Sequence, residues 1–246
     1  MKKSNGSRKN LFFSLVEILV VITIISLLAG ILMPGLMKSR KHALSKNCIS
    51  NLRQLGIAVK IYNQDYGYYP DAYVNYDGKE KYWCAEFNGN NSDFYKSPLA
   101  EYIKIPALLI CPAFTDFTSK DPSKKAVCSY GINVEFAGGK PSPGANVTQI
   151  LNNPPPLTDE VKRPDRMILF ADAAEDASGL TESYFIWARF SYEMGFELEA
   201  TAHFRHDNKN AAVFCDGHCE DTLKPDAIKN ENLKLGWLEQ DLIQVY

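Results

Sequence analysis

Three histidines and two cysteines fall within 17 residues near the C-terminal end: His203, His206, Cys215, His218 and Cys219, with Asp207, Asp216 and Glu220 among them. Side chains of these types bind metals and carry protons, so zinc is the first chemistry to weigh. The spacing speaks against it. Cys-x3-Cys across a tight turn, with His-x2-His before it, is not a standard structural zinc pattern. Asp216-Gly217 instead marks a two-residue hairpin turn. A hairpin folded there sets Cys215 opposite His218 and Cys219 opposite Phe214. It sends the two sulfurs to opposite faces, where they share neither a metal nor a disulfide. A metal-dependent enzyme on His203, His206 and His218 stays open as a reading. The chain contains no GxSxG, P-loop or HExxH, and we expect no enzymatic activity.

The other residue placed for chemistry is Glu17, a single carboxylate near the start of a long apolar run. From Ile18 to Met37 there is no charge in 20 residues. At ~1.5 Å per residue that stretch covers a hydrocarbon core of ~30 Å. A carboxylate inside a membrane helix costs about 2.5–3.5 kcal/mol on insertion scales, so Glu17 calls for a partner. Lys2, Lys3, Arg8 and Lys9 precede the run. Lys38, Arg40, Lys41 and Lys46 follow it, so charge alone does not orient the segment.

The elements that must position these residues begin with that helix. Past Pro34 the pattern turns amphipathic: Leu44, Cys48, Leu52, Leu55, Val59, Tyr62 and Tyr66 form one apolar stripe. Gly67 and Pro70 end it. One helix from about Phe13 to Tyr66 would be ~80 Å long. Residues 97–103 read as a short helix, and 107–111 and 126–136 as extended segments. Residues 138–156 read as a surface loop. Strands are expected over 166–171, 184–190 and 211–215, and a closing helix over 227–238. The expected fold is α+β, a long helix against a mostly antiparallel sheet.

The chain has 246 residues, 46% hydrophobic and 23% charged. Its net charge of −2 hides an asymmetry. Residues 1–67 hold ten Lys and Arg against Glu17 and Asp65, so the remainder is strongly acidic. An acidic domain is a poor surface for nucleic acid, and none is expected as a partner. Six cysteines (Cys48, Cys84, Cys111, Cys128, Cys215, Cys219) fit an oxidising compartment. Cys111 and Cys128, both in the irregular region, are the pair expected to bridge.

Phe13-Ser14-Leu15-Val16-Glu17 and the apolar run to Pro34 resemble the N-terminal segment of the type IV pilin and type II secretion pseudopilin superfamily. That segment is a basic leader, a cleavage point before a Phe, a Glu four residues beyond it, and an apolar helix with a proline near its far end. This leader ends in Phe12 where the family usually has Gly. His206, nine residues, then Asp216-Gly217 resembles the signature of a prepilin-type His-x9-Asp-Gly branch. Further matching pieces are Cys48-Ile49-Ser50-Asn51-Leu52-Arg53-Gln54-Leu55-Gly56, Cys111-Pro112, Ser129-Tyr130-Gly131-Ile132-Asn133, and Arg163-Pro164 leading to Ala171-Asp172.

The resemblance implies an organisation: a leader at 1–12, a transmembrane half-helix at 13–37, an amphipathic half at 38–67, and an extracytoplasmic globular domain at 68–246. It implies cleavage between Phe12 and Phe13 by a prepilin peptidase, with methylation of Phe13. It further implies a single-pass inner-membrane protein, N-terminus in the cytoplasm, assembling with other pilin or pseudopilin subunits. Glu17 would pair with a neighbour's amine, and Pro34 would relax the helix. Related pseudopilins hold calcium near the C-terminal sheet, and Asp172, Glu175 and Asp176 form the densest acidic cluster for it. No other cofactor is expected. The alternative is a membrane-tethered binding module for calcium, glycans or an envelope partner.

Overall fold

The computed structural model describes residues 14–76, 79–88, 91–115, 127–134, 157–176, 179–187, 190–191, 196–197 and 201–243. The expected cleavage point at Phe12 and Phe13, and the expected loop over 138–156, lie outside them. The chain divides after Lys41 into two units, residues 1–41 and 42–246.

One helix, α1 (Leu15–Tyr66), supplies the described part of the first unit and continues into the second. Ser14 caps its start. The Ser14 hydroxyl accepts from the Val16 N–H at 3.4 Å, and Glu17 Oε2 accepts from the Ser14 N–H at 2.8 Å. The Glu17 bond is the N3 half of a capping box and gives Glu17 a partner within its own turn, while the hydroxyl caps the second N–H of the helix. Pro34 lies inside α1 without ending it. Lacking an N–H, it leaves the Gly30 carbonyl without its intrahelical donor. Large apolar side chains are exposed all round this half, Leu15 at 81% and Ile31 at 71%. Among the described residues α1 is the one helix long and apolar enough to cross a membrane.

In the second unit α1 buries Ser45, Cys48, Leu52, Leu55, Gly56, Ala58, Val59 and Tyr62. The expected stripe is there from Cys48 to Tyr62, while Leu44 is half-buried and Tyr66 exposed. A positive φ at Gly67 turns the chain away. A four-stranded antiparallel meander follows: β1 (Tyr73–Tyr76), β2 (Lys79–Tyr82), β3 (Glu86–Asn88) and β4 (Asn91–Asp93).

The central sheet comprises β5 (Tyr130–Asn133), β6 (Ile168–Asp172), β9 (Phe185–Ile186), β13 (Asn210–Phe214) and β14 (Cys219–Leu223), in the order β14-β13-β6-β5-β9. Its pairings are antiparallel except β5 with β9. Short strands accompany it: β7 (Glu175–Asp176) with β8 (Leu180–Thr181), and β10 (Phe190–Ser191) with β11 (Phe196–Glu197). The last sheet joins β12 (Ala202–His203), β16 (Leu235–Trp237) and β15 (Ala227–Asn230).

Both faces of the central sheet are covered. Ala211 and Val213 pack in the core that holds Cys48, Leu52 and Leu55, whereas Ala212 and Phe214 pack with Phe204 and Leu238. The period-2 alternation of β13 produces that division. A bulge beside Leu169 shifts the β6–β13 register. The result is the expected α+β fold, pilin-like in outline: one long N-terminal helix whose second half packs on a mostly antiparallel sheet.

Three local expectations are corrected. Residues 106–109 form a 3-10 turn, not an extended segment, because Pro106 at its first position presets the helical φ. The tail expected as a helix is a hairpin of β15 and β16, with Lys234 at φ 54 and Leu235 and Trp237 buried. The turn between β13 and β14 spans Cys215-Asp216-Gly217. The Phe214 N–H donates to the His218 carbonyl at 2.9 Å, and Gly217 takes the positive φ of 95°. A three-residue loop with a left-handed Gly replaces the two-residue turn, so Cys219 stands opposite Val213.

The parallel β5–β9 contact depends on a missing side chain. A Cβ on Gly131 would lie 2.5 Å from the Phe185 carbonyl carbon and 2.6 Å from its oxygen, both backbone atoms. Gly131→Ala should destabilise the chain by about 1–3 kcal/mol, seen as a lower urea midpoint with an unchanged slope in detergent-solubilised protein.

Candidate functional site

The groups with ligand or acid–base chemistry meet beneath α1, at the end of β6. Asp172 is the last residue of β6 and has no exposure. Cys48 comes from the buried stripe of α1. Cys111 follows the 3-10 turn and is fixed by its N–H donating to Ser129 Oγ at 2.6 Å. His206 sits in the turn before β13, where Asp207 and Asn208 both have positive φ, at 52° and 60°. Short polar side chains tolerate that conformation, and reciprocal backbone bonds between His206 and Lys209 close the turn.

Asp172 organises the cluster. Its Oδ2 accepts from the Ala211 N–H at 3.0 Å and lies 3.2 Å from His206 Nε2. Its Oδ1 accepts from the Cys48 thiol at 3.2 Å and lies 3.5 Å from Arg205 Nε. Cys111 Sγ is 3.5 Å from His206 Nε2, and the Tyr130 hydroxyl donates to Cys48 Sγ at 3.3 Å. Arg205 is itself buried. It donates to the Ser129 and Ala173 carbonyls at 3.0 and 2.7 Å and lies over the Phe114 ring at 4.3 Å. The Asn210 amide donates to the Asp172 and His203 carbonyls.

Burial works against the charge on Asp172, but Arg205 and His206 outweigh it and hold the carboxyl below its usual range. Burial likewise opposes the charged form of His206, yet hydrogen bonding to Asp172 and Cys111 pushes it up to about 9. Burial raises the Cys111 thiol, but Cys48, His206 and Arg205 together bring it down to about 6. The Cys48 thiol is raised, first by burial. Thus hydrogen bonds and neighbouring charges favour the charged forms of His206 and Asp172 and lower the Cys111 thiol, with the Arg205 guanidinium beside the carboxylate.

A catalytic thiol–imidazole–carboxylate relay needs the imidazole to use one nitrogen for the sulfur and the other for the carboxylate. Here both partners face the same atom, Nε2. Cys48, Cys111 and Asp172 are moreover fully buried. The arrangement suits fixing charge, or holding an ion, better than attacking a substrate.

The structure disperses the rest of the C-terminal cluster. His203 is buried against Phe114, its ring centroid 5.7 Å from the phenyl's. His218 stacks on Phe214 at 4.2 Å and bonds Asp216 at 2.6 Å. The Cys215 thiol, raised by burial, faces Tyr69, and Cys219 lies beside Arg53. Of the signature residues, His206 reaches the buried cluster, while Asp216 and Gly217 form the β13–β14 turn.

All six cysteines, each among the described residues, are free thiols. The expected Cys111–Cys128 bridge is not formed, because the two sulfurs have different neighbours. Cys111 faces His206 and Cys48, whereas the Cys128 thiol donates to the Tyr130 carbonyl at 3.0 Å and faces Cys84. Of the residues expected to hold calcium, Asp172 is buried, Glu175 half-buried and Asp176 exposed. Asp172 is engaged inside, while Asp176 accepts from the Gly179 N–H and the Asn230 amide. Among the described residues, one group of His, Cys, Asp and Glu brings its ligand atoms together: Cys48, Cys111, Asp172 and His206, all within 4.8 Å of one another.

Cys48 and Arg205 were not expected at a site, and Cys111 was expected only as half of a disulfide. Their positions, 48, 111 and 205, follow no local spacing, so the fold alone unites them. A scan against protein-family models returned no match, and searches of the curated proteins and of the solved structures returned none either.

The buried pair of Asp172 and Arg205 gives a direct test. Asp172→Asn leaves a guanidinium buried without its carboxylate and should cost about 3–5 kcal/mol in urea unfolding. Adding Arg205→Gln should cost less than the two single losses combined, with a coupling of about 0.5–3 kcal/mol; strict additivity would show that the two charges do not interact.

Proposed function

We propose that this chain is a prepilin-like structural subunit. It inserts in the inner membrane through its N-terminal helix and assembles through that helix into a type IV pilus or type II secretion pseudopilus. One observation supports the reading most: from Ile18 to Met37 the helix carries no charge and exposes apolar side chains all round, while from Cys48 to Tyr62 the same helix buries one face on the sheet. A helix apolar on every side requires lipid or other helices around it.

Assembly would follow from three features. A prepilin peptidase would trim the leader between Phe12 and Phe13, freeing an amine at Phe13. Glu17 would meet that amine on a neighbouring subunit, where low dielectric strengthens the attraction and sets the axial register. Pro34, by removing a backbone donor beside Gly35, would let packed helices adjust to a curved lattice.

The tethered binding module draws on a cleft lined by Tyr62, Tyr66, Tyr95, Asp71, Lys81 and Glu86. Its mixture of aromatic and charged groups suits a sugar or peptide ligand. In that reading the apolar half-helix only anchors the chain, and the leader stays on.

Two measurements separate these functions. A chain recovered from membranes that starts at N-methylated Phe13 supports assembly, and an intact leader supports the tether. The capping box makes Glu17→Gln informative, because Gln serves the same cap and only the charge is lost. That variant should insert as the wild type does, yet fail to enter sheared filaments or cross-linked oligomers. Incorporation at the wild-type level would leave Glu17 with a capping role alone.

A further inference from the structure

We propose that Cys48, Cys111, Asp172 and His206 form a closed, structural zinc site that fastens the second half of α1 to the central sheet. The donor set is two sulfurs, one imidazole nitrogen and one carboxylate oxygen. That is a zinc complement, and its sulfurs exclude calcium.

The spacing of the donors fits. Zinc bonds of about 2.3 Å to sulfur and 2.0–2.2 Å to nitrogen and oxygen place tetrahedral ligands about 3.3–3.8 Å apart. The structure sets Cys111 Sγ 3.5 Å from His206 Nε2, His206 Nε2 3.2 Å from Asp172 Oδ2, and Cys48 Sγ 3.2 Å from Asp172 Oδ1. All four ligand atoms lie within 4.8 Å of one another. His206 Nε2 and Cys48 Sγ face different oxygens of Asp172, and one of those oxygens would serve as the carboxylate ligand.

Charge fits as well. Two thiolates and one carboxylate carry three negative charges, and Zn²⁺ with Arg205 supplies three positive ones. Such a balance is what a site with almost no water access requires. Loading the ion sends the Cys48 thiol proton and the proton shared between Cys111 and His206 to solvent, leaving two thiolates and a neutral imidazole. The surroundings already point donors at the atoms that would bear negative charge: the Tyr130 hydroxyl at Cys48 Sγ and the Ala211 N–H at Asp172 Oδ2. Outer-shell donors of this kind orient ligands in metal sites. A Cys48–Cys111 disulfide would use the sulfurs but assign nothing to the imidazole and carboxylate facing them.

The four ligands come from the helix, the segment after the 3-10 turn, the end of β6 and the turn before β13. Four protein ligands leave no open position for water or substrate, so the ion would hold these segments together and carry out no reaction.

The test uses the full chain, purified in detergent without a histidine tag, with zinc and cobalt as the probes. Elemental analysis should find about one zinc per chain, and a strong chelator should remove it and lower the unfolding temperature. Cobalt should give the intense visible bands of a tetrahedral site and a thiolate-to-metal charge-transfer band. Cys48→Ser or Cys111→Ser should reduce that band about two-fold, one of two sulfurs being lost. Cys84→Ser and Cys128→Ser, buried thiols outside the set, should leave it unchanged. The cobalt spectrum of the wild-type chain needs no variant and decides the matter even where a substitution unfolds the protein. Four results would overturn the proposal: no zinc or cobalt bound by the reduced chain, a cobalt spectrum without thiolate character, iron or copper bound in place of zinc, or a Cys48–Cys111 disulfide in chain taken from membranes.

Discussion

The fold depends on placing one carboxylate, that of Asp172, where water does not reach. A buried charge without partners is prohibitively costly, so everything around Asp172 must be arranged to answer it. The answers come from four directions: the Ala211 N–H on β13, the Arg205 guanidinium, the His206 ring and the Cys48 thiol. They come from three segments: β13, the turn before it that carries both Arg205 and His206, and α1. A shift of α1 by one residue would turn Cys48 off the buried face, since a helical residue turns about 100° from its neighbour. Apolar packing of Leu52, Leu55 and Val59 accepts helix–sheet geometries within a range. The polar contacts at Cys48 narrow that range to one register.

Arg205 shows how such a centre is tolerated. Its guanidinium reaches the Ser129 and Ala173 carbonyls as well as Asp172, and it spreads over the Phe114 ring. Those two carbonyls flank β5 and β6, and that of Ser129 also accepts from the Ala173 N–H at 3.1 Å. One cation therefore compensates a buried anion and adds a donor to two backbone carbonyls beside it. Replacing such a pair with hydrocarbon is often neutral or stabilising in other proteins, so its presence points to fixed geometry rather than to gross stability.

How much of this was legible in the sequence divides by range. The helix could be read from Cys48 to Tyr62, because a 3.6-residue period is local information. The strands at β6 and β13 could be read from continuous apolar runs. Where one proline or one loop residue decides, as at Pro106 or in the Cys215–Gly217 turn, the apolar pattern misled. The site itself hid for a plainer reason. Local density drew attention to the histidines and cysteines between His203 and Cys219, yet of that group His206 alone reaches the cluster around Asp172. Its partners are carried in by tertiary contacts that no spacing rule encodes. One signal was available. Cys48, Cys111 and Asp172 each fall within a short segment on which the pilin resemblance rests, alongside His206 in the longest motif.

Glu17 and Asp172 are two carboxylates in apolar settings with opposite solutions. Asp172 is surrounded on every side by groups from distant parts of the chain. Glu17 has a local arrangement, one oxygen receiving the Ser14 N–H at the head of α1. A carboxylate offers about four lone-pair sites, and the cap occupies one of them. The helix N-terminus, with its uncompensated N–H groups, adds a favourable potential for the negative charge. This cap leaves most of the carboxylate's capacity for a donor from outside. A capped acid and an assembly acid are therefore compatible roles for one residue. In the proposed assembly, a neighbour's amine would bind the remaining lone pairs and leave the cap in place.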